Sequence, residues 1–307
     1  MTRSRSLATP FHPRTQTAAL SSSITAASAD DHTSAAAAQP PAFGAGWIAE
    51  DRRSEVFGAF AEDYDAFRPS YPPALFDTLL QRHGGSPRNG VDIGCGTGRG
   101  ALALAARGLA VTGVDTDSGM LKQLRASAER HGTPVTTAQG SAEHTGLPAC
   151  AADVACCLQA WHWFDAAAAL AELRRVLRPG GVAVVAWNDR DLARPQVQRL
   201  EALIEKYNPQ YERRVRQCDK WAPSVWSRPE LMALDKEAVF PHVLQLGSDP
   251  EALVQLCMTF SYVRCAVPEG AALDAFQEEC RALARDMLAE GSIDLPLHCK
   301  AFFLRRV

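Results

Sequence analysis

The stretch VDIGCGTGRG, residues 91–100, decides how the chain folds. Its apolar run ends a buried strand at Ile93. Gly94, Gly96 and Gly98 then make a loop too tight for Cβ atoms, and Ala101–Arg107 reads as a helix. A strand, a glycine turn and a helix together present bare backbone to a ligand. Seventeen residues past Gly98 the next strand, LAVTGVD, ends in Asp115, a carboxylate that can accept from two ribose hydroxyls.

The glycine spacing separates two kinds of cofactor. A dinucleotide fingerprint, G-x-G-x-x-G, has its third glycine where Arg99 stands here. Asp92, two residues before Gly94, would repel a pyrophosphate and suits a cationic group such as an amino-acid ammonium. Asp92 and Asp115 together point to a cofactor with a zwitterionic end, a ribose and no phosphates, and S-adenosylmethionine (SAM) fits. The bland alternative is a glycine-rich turn in an ordinary α/β domain.

The segment resembles motif I of the class I SAM-dependent methyltransferases. GVDTDSGML (113–121) is similar to their second-strand motif, GSAEHTGLP (140–148) to their adenine-binding turn, and LRRVLRPGGVAVVAW (173–187) to the segment entering the fifth strand. FAEDYDAFRPSYP (60–72) and LQAWHWFD (158–165) resemble the small-molecule branch that includes trans-aconitate methyltransferases. The resemblance covers residues 55–190 well and the C-terminal third loosely.

It implies a doubly wound, Rossmann-like α/β fold with a seven-stranded, mostly parallel sheet, N-terminal helices and a C-terminal helical insertion. The final strand would run antiparallel between the fifth and sixth. It also implies a small-molecule methyl acceptor and a SAM site formed by Tyr64, Asp92, Gly94, Cys95, Gly96, Gly98, Asp115, Thr116, Ser141, Ala142, Glu143 and Gln159. Ser141 departs from the many relatives that carry an acid there, which leaves the Ala142 backbone as the expected adenine donor.

Composition bounds the rest. The 307 residues are 47% hydrophobic and 22% charged, ordinary for one soluble α/β domain with extensions. A formal net charge of −3 argues against nucleic acid as the main partner. No apolar run approaches the ~20 residues that cross a bilayer. The nine cysteines show no C-x-x-C pair and no metal spacing, so no metal is expected. They read as buried thiols in a reducing compartment, with the vicinal Cys156 and Cys157 pointing to opposite faces of one strand. Residues 1–45 are rich in Ala, Ser, Thr and Pro with no acid before Asp30. This is the composition of a disordered tail or of an organellar transit peptide, and an intracellular setting, cytoplasmic or organellar, is expected.

Residues 46–307 then form the catalytic domain, with a core at 84–190 and a substrate-side lid plus sheet completion at 191–307. Helical structure is expected over 52–83, broken by the RPSYP turn. Strands are expected near 89–93, 110–115, 134–138, 153–158, 182–187, 239–246 and 300–307. Helices are expected near 99–107, 118–131, 166–177, 196–207, 249–262 and 269–290, with irregular, proline-rich chain after 207. Gly108 and Gly132 stand at helix C-caps, and Asp117 and Asp165 at N-caps.

Methyl transfer from a sulfonium is an in-line displacement, for which positioning alone can supply roughly 7–11 kcal/mol. A carboxylate acceptor, already ionised, needs no base, whereas a phenol, amine or carbon acceptor can need one. His162 is the best-placed base by sequence; the competing reading is a structural histidine between Trp161 and Trp163, in an aromatic pocket wall. By resemblance, Tyr64 and Arg68 lie over the cofactor's amino-acid end or the acceptor, where Arg68 would suit a carboxylate; the plainer reading of Arg68 is an exposed arginine beside a helix end. Two rival functions use the same fold: a nicotinamide-dependent oxidoreductase, and a SAM-binding protein without turnover.

Overall fold

The computed structural model describes residues 61–211, 217–264 and 266–307, with the side chains of Glu62, Asp63, Tyr64 and Gln217 outside the description. The expectations for residues 1–45, for helix over 52–60 and for the Tyr64 side chain therefore fall outside the described residues.

A seven-stranded sheet runs through the described residues in the order β3-β2-β1-β4-β5-β7-β6. Its strands are β1 Asn89–Ile93, β2 Ala110–Asp115, β3 Thr136–Gln139, β4 Ala152–Leu158, β5 Leu177–Arg190, β6 Met232–Gln245 and β7 Asp294–Arg306. The first five are parallel, and β7 lies antiparallel between β5 and β6. The helices are α1 Ala61–Phe67, α2 Pro73–His83, α3 Arg99–Ala105, α4 Ser118–Arg130, α5 Ala166–Val176, α6 Pro195–Tyr207, α7 Gln217–Val225, α8 Glu251–Met258, α9 Ser261–Arg264 and α10 Ala271–Ala289.

Alternation along the strands feeds two cores. Val154, Cys156, Val182 and Val184 pack with Leu75, Phe76 and Leu79 of α2, Leu104 of α3 and Leu124 of α4. Ala155, Cys157, Ala183 and Val185 pack on the opposite face with Leu170 and Leu173 of α5 and Trp221 and Val225 of α7. The vicinal cysteines thus enter different cores. A third core belongs to the insertion, where α6, α8, α9 and α10 bury Leu200, Ile204, Val254, Phe276 and Met287 together with Leu295 of β7.

Caps fall where residue chemistry requires them. The Asp117 carboxylate accepts from the Gly119 and Met120 N–H groups, and Asp165 accepts from those of Ala167 and Ala168. Gly108 and Gly132 follow their helices with φ of 88° and 61°.

Four expectations need correction. The proline-rich chain after 207 contains α7, with Pro223 inside it; Cys218, Trp221, Ala222 and Val225 form a buried stripe whose packing outweighs the proline's cost. The 249–262 helix is two, α8 and α9, parted where buried Thr259 turns its hydroxyl onto the Leu256 carbonyl at 2.6 Å. β6 and β7 are longer than expected, because Asp235, Lys236 and Glu237 on the sheet edge still pair with, or bulge against, β7. β5 extends back through Arg178–Gly181, a bulge opposite Ala152–Val154.

Candidate cofactor and acceptor site

The site lies at the C-terminal ends of the parallel strands. The Gly94 and Cys95 N–H groups both donate to the Val114 carbonyl, at 2.8 and 3.0 Å, which ties the turn after β1 to β2. The three glycines of the turn do different work. A Cβ on Gly98 would come within 2.0 Å of Leu124 Cδ1, and one on Gly94 within 2.6 Å of Ala160 Cβ, so both permit close packing. A Cβ on Gly96 would meet nothing within 4 Å, although φ there is +51°. Gly96 is the bare backbone that faces the cavity.

That cavity has a volume of about 340 Å³, within the range of small-ligand sites. Ten of the expected cofactor residues line it: Asp92, Gly94, Cys95, Gly96, Asp115, Thr116, Ser141, Ala142, Glu143 and Gln159. Gly98 does not, being turned onto Leu124. Among the lining residues that sequence reasoning missed are Tyr71, Thr97, Met120 and Leu158. For Thr97 there was a signal, its place between two loop glycines; the others are apolar or aromatic side chains that read equally well as core.

Both aspartates are engaged by the protein's own backbone. Asp92 is 1% exposed; its Oδ2 accepts from the Ala101 N–H at 2.8 Å and its Oδ1 from the Cys156 thiol at 3.2 Å. It therefore secures α3 as well as lining the cavity. Burial, and after it the charge of Asp115, push its pKa up to about 7 against those two hydrogen bonds. Asp115 accepts from the Gly96 N–H at 2.8 Å through Oδ2 and from the Asp117 N–H at 2.9 Å through Oδ1. The Thr116 N–H adds a third backbone interaction, which does not exhaust the acceptor capacity of the carboxylate. Burial raises the Asp115 pKa too. Two neighbouring carboxylates that both titrate high mark a place short of positive charge.

The third wall is the 140–147 turn. Ser141 and His144 close it, with the His144 N–H donating to Ser141 Oγ at 3.1 Å. Glu172 of α5 anchors it, accepting from the Thr145 N–H at 2.8 Å and the Thr145 hydroxyl at 2.6 Å. Glu143 is partly committed to structure, since its Oε1 accepts from the Asp165 N–H at 2.8 Å. Gln159 holds a left-handed backbone, φ 56°, and its Oε1 accepts from the Asn188 N–H at 2.9 Å. Such a non-glycine residue costs of order 1–3 kcal/mol and persists where the surroundings enforce it.

The two candidate catalytic residues lie elsewhere. His162 is 5% exposed and does not line the cavity. Its Nδ1 accepts from Trp187 Nε1 at 3.3 Å, and burial, then the Arg68 charge, push its pKa down to about 3. Its surroundings suit a structural imidazole. Of the aromatic wall, Trp163 and Phe164 line the cavity, whereas Trp161 is buried with its Nε1 donating to Ser224 Oγ at 3.0 Å. Arg68 is outside the lining as well: Nη2 donates to the Thr259 carbonyl at 3.0 Å and the guanidinium lies 4.9 Å from the Phe260 ring centroid.

Behind Phe260 sits a buried polar network. Arg190, at the end of β5, pairs with Glu201 and donates to the hydroxyls of Tyr262 at 3.0 Å and Tyr211 at 2.8 Å. The rings of Phe260, Tyr262 and Tyr211 stack at centroid spacings of 5.1 and 4.7 Å.

Known proteins match this architecture. A family model described as a methyltransferase domain matches residues 91–185. An uncharacterized methyltransferase of Mycobacterium tuberculosis is 41% identical over 149 residues, 48% of this chain and 58% of that protein. One of Schizosaccharomyces pombe is 32% identical over 146 residues, 47% of this chain and 57% of that protein. The chain thus spans less than two thirds of the length of these relatives. A solved structure proposed to be a type II methyltransferase, from Anaeromyxobacter dehalogenans, superposes with a TM-score of 0.54 at 27% identity, covering 78% of this chain and 97% of that one. Taken with the sheet order and the glycine loop, these matches place a methyltransferase domain at residues 91–185, in a chain similar to the class I SAM-dependent methyltransferases. Among the described residues, no helix is long and apolar enough to cross a membrane.

Proposed function

We propose that this chain transfers a methyl group from SAM to a small organic acid, on a carboxylate oxygen. The observation that carries the cofactor half is the pairing of Asp92 and Asp115 beside the open face of Gly96. A cationic, ribose-bearing ligand fits those residues: it would relieve two carboxylates that burial holds high, and its hydroxyls would find the spare lone pairs of Asp115. Thr97 Oγ1 and Arg99 Nε, buried beside the cavity with no partner among the described residues, add two polar atoms for a zwitterion's oxygens. Bound there, SAM supplies an electrophilic methyl group. The chain's own part is to hold the acceptor in line with it and to keep water out, for which Met120, Leu158, Trp163 and Phe164 supply an apolar wall.

The acceptor reading rests on what the lining offers a proton. Among the described lining residues there is no histidine or lysine, and the carboxylates are engaged by backbone or thiol donors. With Asp92 and Asp115 committed to those donors and to the cofactor, an acceptor that must lose a proton would lack a free base, whereas an ionised carboxylate needs none. His162, with its pKa near 3 and its Nδ1 taken by Trp187, supports the same choice. Arg68 enters only through its packing on Phe260, not as a direct grip on the acceptor.

Two measurements test this. Calorimetry should give a saturable heat with SAM and none with NADH; the reverse would move the chain to the oxidoreductases. A panel of small carboxylic acids, phenols and amines, scored by S-adenosylhomocysteine release, should give turnover among the acids. Turnover confined to phenols or amines, with a rate that falls as an imidazole protonates, would overturn the carboxylate assignment.

A further inference from the structure

Residues 65–71, the last turn of α1 and the chain that leads on towards α2, cross from one side of the site to the other as a strap held by side chains. At one end the Asp65 carboxylate accepts from the Ser127 hydroxyl at 2.9 Å, Arg130 Nη2 at 3.1 Å and Gln123 Nε2 at 3.3 Å, all on α4. Further along, Arg68 reaches the Thr259 carbonyl and the Phe260 ring of the insertion. Asn188, just short of the end of β5, donates from Nδ2 to the Ser70 carbonyl at 3.2 Å. Tyr71, the last strap residue, lines the cavity.

The remaining tie comes from the glycine loop itself. Arg99, first residue of α3, donates from Nη1 to Ser70 Oγ at 2.9 Å and from Nη2 to the Asp65 carbonyl. Among the described side chains that hold the strap, Arg99 is the one that also lines the cavity. Its Nε is buried and has no partner among the described residues. A buried guanidinium N–H without an acceptor is costly. The strap takes two nitrogens of the Arg99 fork, and the third, Nε, is buried without an acceptor in a residue that lines the cavity.

We propose that Arg99 is a positioning residue that couples occupancy of the cofactor cavity to the 65–71 strap, so that the acceptor side is completed only after the cofactor has bound. The proposal rests on the reading of the cavity as a SAM site. An oxygen accepting from Nε fixes the guanidinium plane, and a fixed plane holds Ser70 and the Asp65 carbonyl through a rigid fork. Coupling of this kind is reciprocal, so loosening the strap must weaken the cofactor and the reverse.

Hydrogen exchange of the full-length chain, with and without saturating SAM, reads the coupling directly. In the wild type, SAM should slow exchange of the 65–71 amides at least about fivefold, the low end of such couplings. In Arg99→Ala, SAM should still bind, with Kd raised about 5–100-fold, and the strap should exchange equally fast with and without it. Arg99→Lys, which keeps the charge and loses the fork, should behave like Arg99→Ala. A purely structural arginine would instead speed exchange equally in both states and leave the SAM-dependent protection in place, which would overturn the proposal while leaving the cofactor reading intact. Absence of SAM binding to the wild type would overturn the cofactor reading and the coupling with it. Should Arg99→Ala fail to fold, Ser70→Ala removes one acceptor at an exposed position. An unchanged Kd and unchanged protection there would likewise overturn the coupling.

Discussion

The two sides of the site are built by opposite means. On the cavity side, the loop after β1 and the end of β2 hold Asp92 and Asp115 without a basic hydrogen-bond partner among the described residues, answered mainly by backbone N–H groups. On the insertion side, Arg190 is neutralised by Glu201, donates to two tyrosine hydroxyls and sits against stacked rings. The first is an electrostatically unfinished surface that a ligand can complete. The second is finished and stiff, and its contribution is shape. One side should therefore respond to ligand and pH, the other to packing.

The largest expected effect is on the finished side. Glu201→Ala leaves Arg190 charged and buried, a change that costs about 3–5 kcal/mol when one partner of a buried pair is removed. Urea denaturation should show it, and a loss below about 1 kcal/mol would mean that the tyrosine hydroxyls alone sustain Arg190.

Two glycines sharpen the contrast within the cofactor loop. Gly98→Ala drives a Cβ into Leu124 Cδ1 at 2.0 Å with φ at +93°. It should lower stability by about 2 kcal/mol or more, as overpacking and strain add. Gly96→Ala meets no atom within 4 Å, so it should cost only about 1–2 kcal/mol for the left-handed backbone. It should nevertheless weaken SAM by a larger factor than its stability loss would suggest. Equal effects of the two on melting temperature and SAM Kd would break the distinction between packing and facing glycines.

Asp115→Ala removes the acceptors for ribose hydroxyls. Charged hydrogen bonds are worth roughly 1.5–3 kcal/mol, so Kd for SAM should rise at least about tenfold. Calorimetry with an unchanged Kd would remove Asp115 from the site.

The gentlest test is pH. Asp92 titrates near 7 in the folded chain against an ordinary value of 3.8. A carboxyl whose pKa is raised on folding binds its proton more tightly in the native state. Its unfavourable contribution to stability is absent below about pH 4 and grows as pH rises towards 7. A cation above Asp92 favours the ionised form, so SAM affinity should fall as pH drops below 7, by up to about tenfold per unit for one coupled proton. Titrations in buffers of different ionisation enthalpy should show proton release on binding. Affinity flat from pH 5.5 to 8 would mean that Asp92 serves α3 alone.

How much of this was legible beforehand follows the same division. The sheet through β5, the caps at Asp117 and Asp165 and the loop glycines were readable because each rests on local chemistry: alternation, a carboxylate before a helix, a missing Cβ. The place of Asp92 and Asp115 on the cavity wall was readable because each stands at the C-terminal end of a strand that alternation predicts. The positions of His162 and Arg68 were not. Whether an imidazole between two tryptophans faces a cavity or a core depends on Trp187, 25 residues away, and Arg68 is claimed by Phe260, whose own place depends on the α8–α9 break. α7 was hidden for a like reason, since Pro223 argues against a helix locally while Trp221 and Val225 argue for it only once the sheet is present.

The antiparallel placing of β7 has a consequence for how the molecule comes to be made. β5 and β6 can each be complete while their shared partner has not yet left the ribosome, because β7 follows both in sequence and lies between them in space. Until then Val182–Trp187, among the most apolar segments of the chain, stands as an open edge. Long-range pairings of this kind form slowly. The helices α6 and α8–α10, which supply most of the third core, are translated in that interval and can collapse beside the gap before Leu295 completes that core. Nascent chains halted just before Asp294 should therefore be the form that chaperones hold longest.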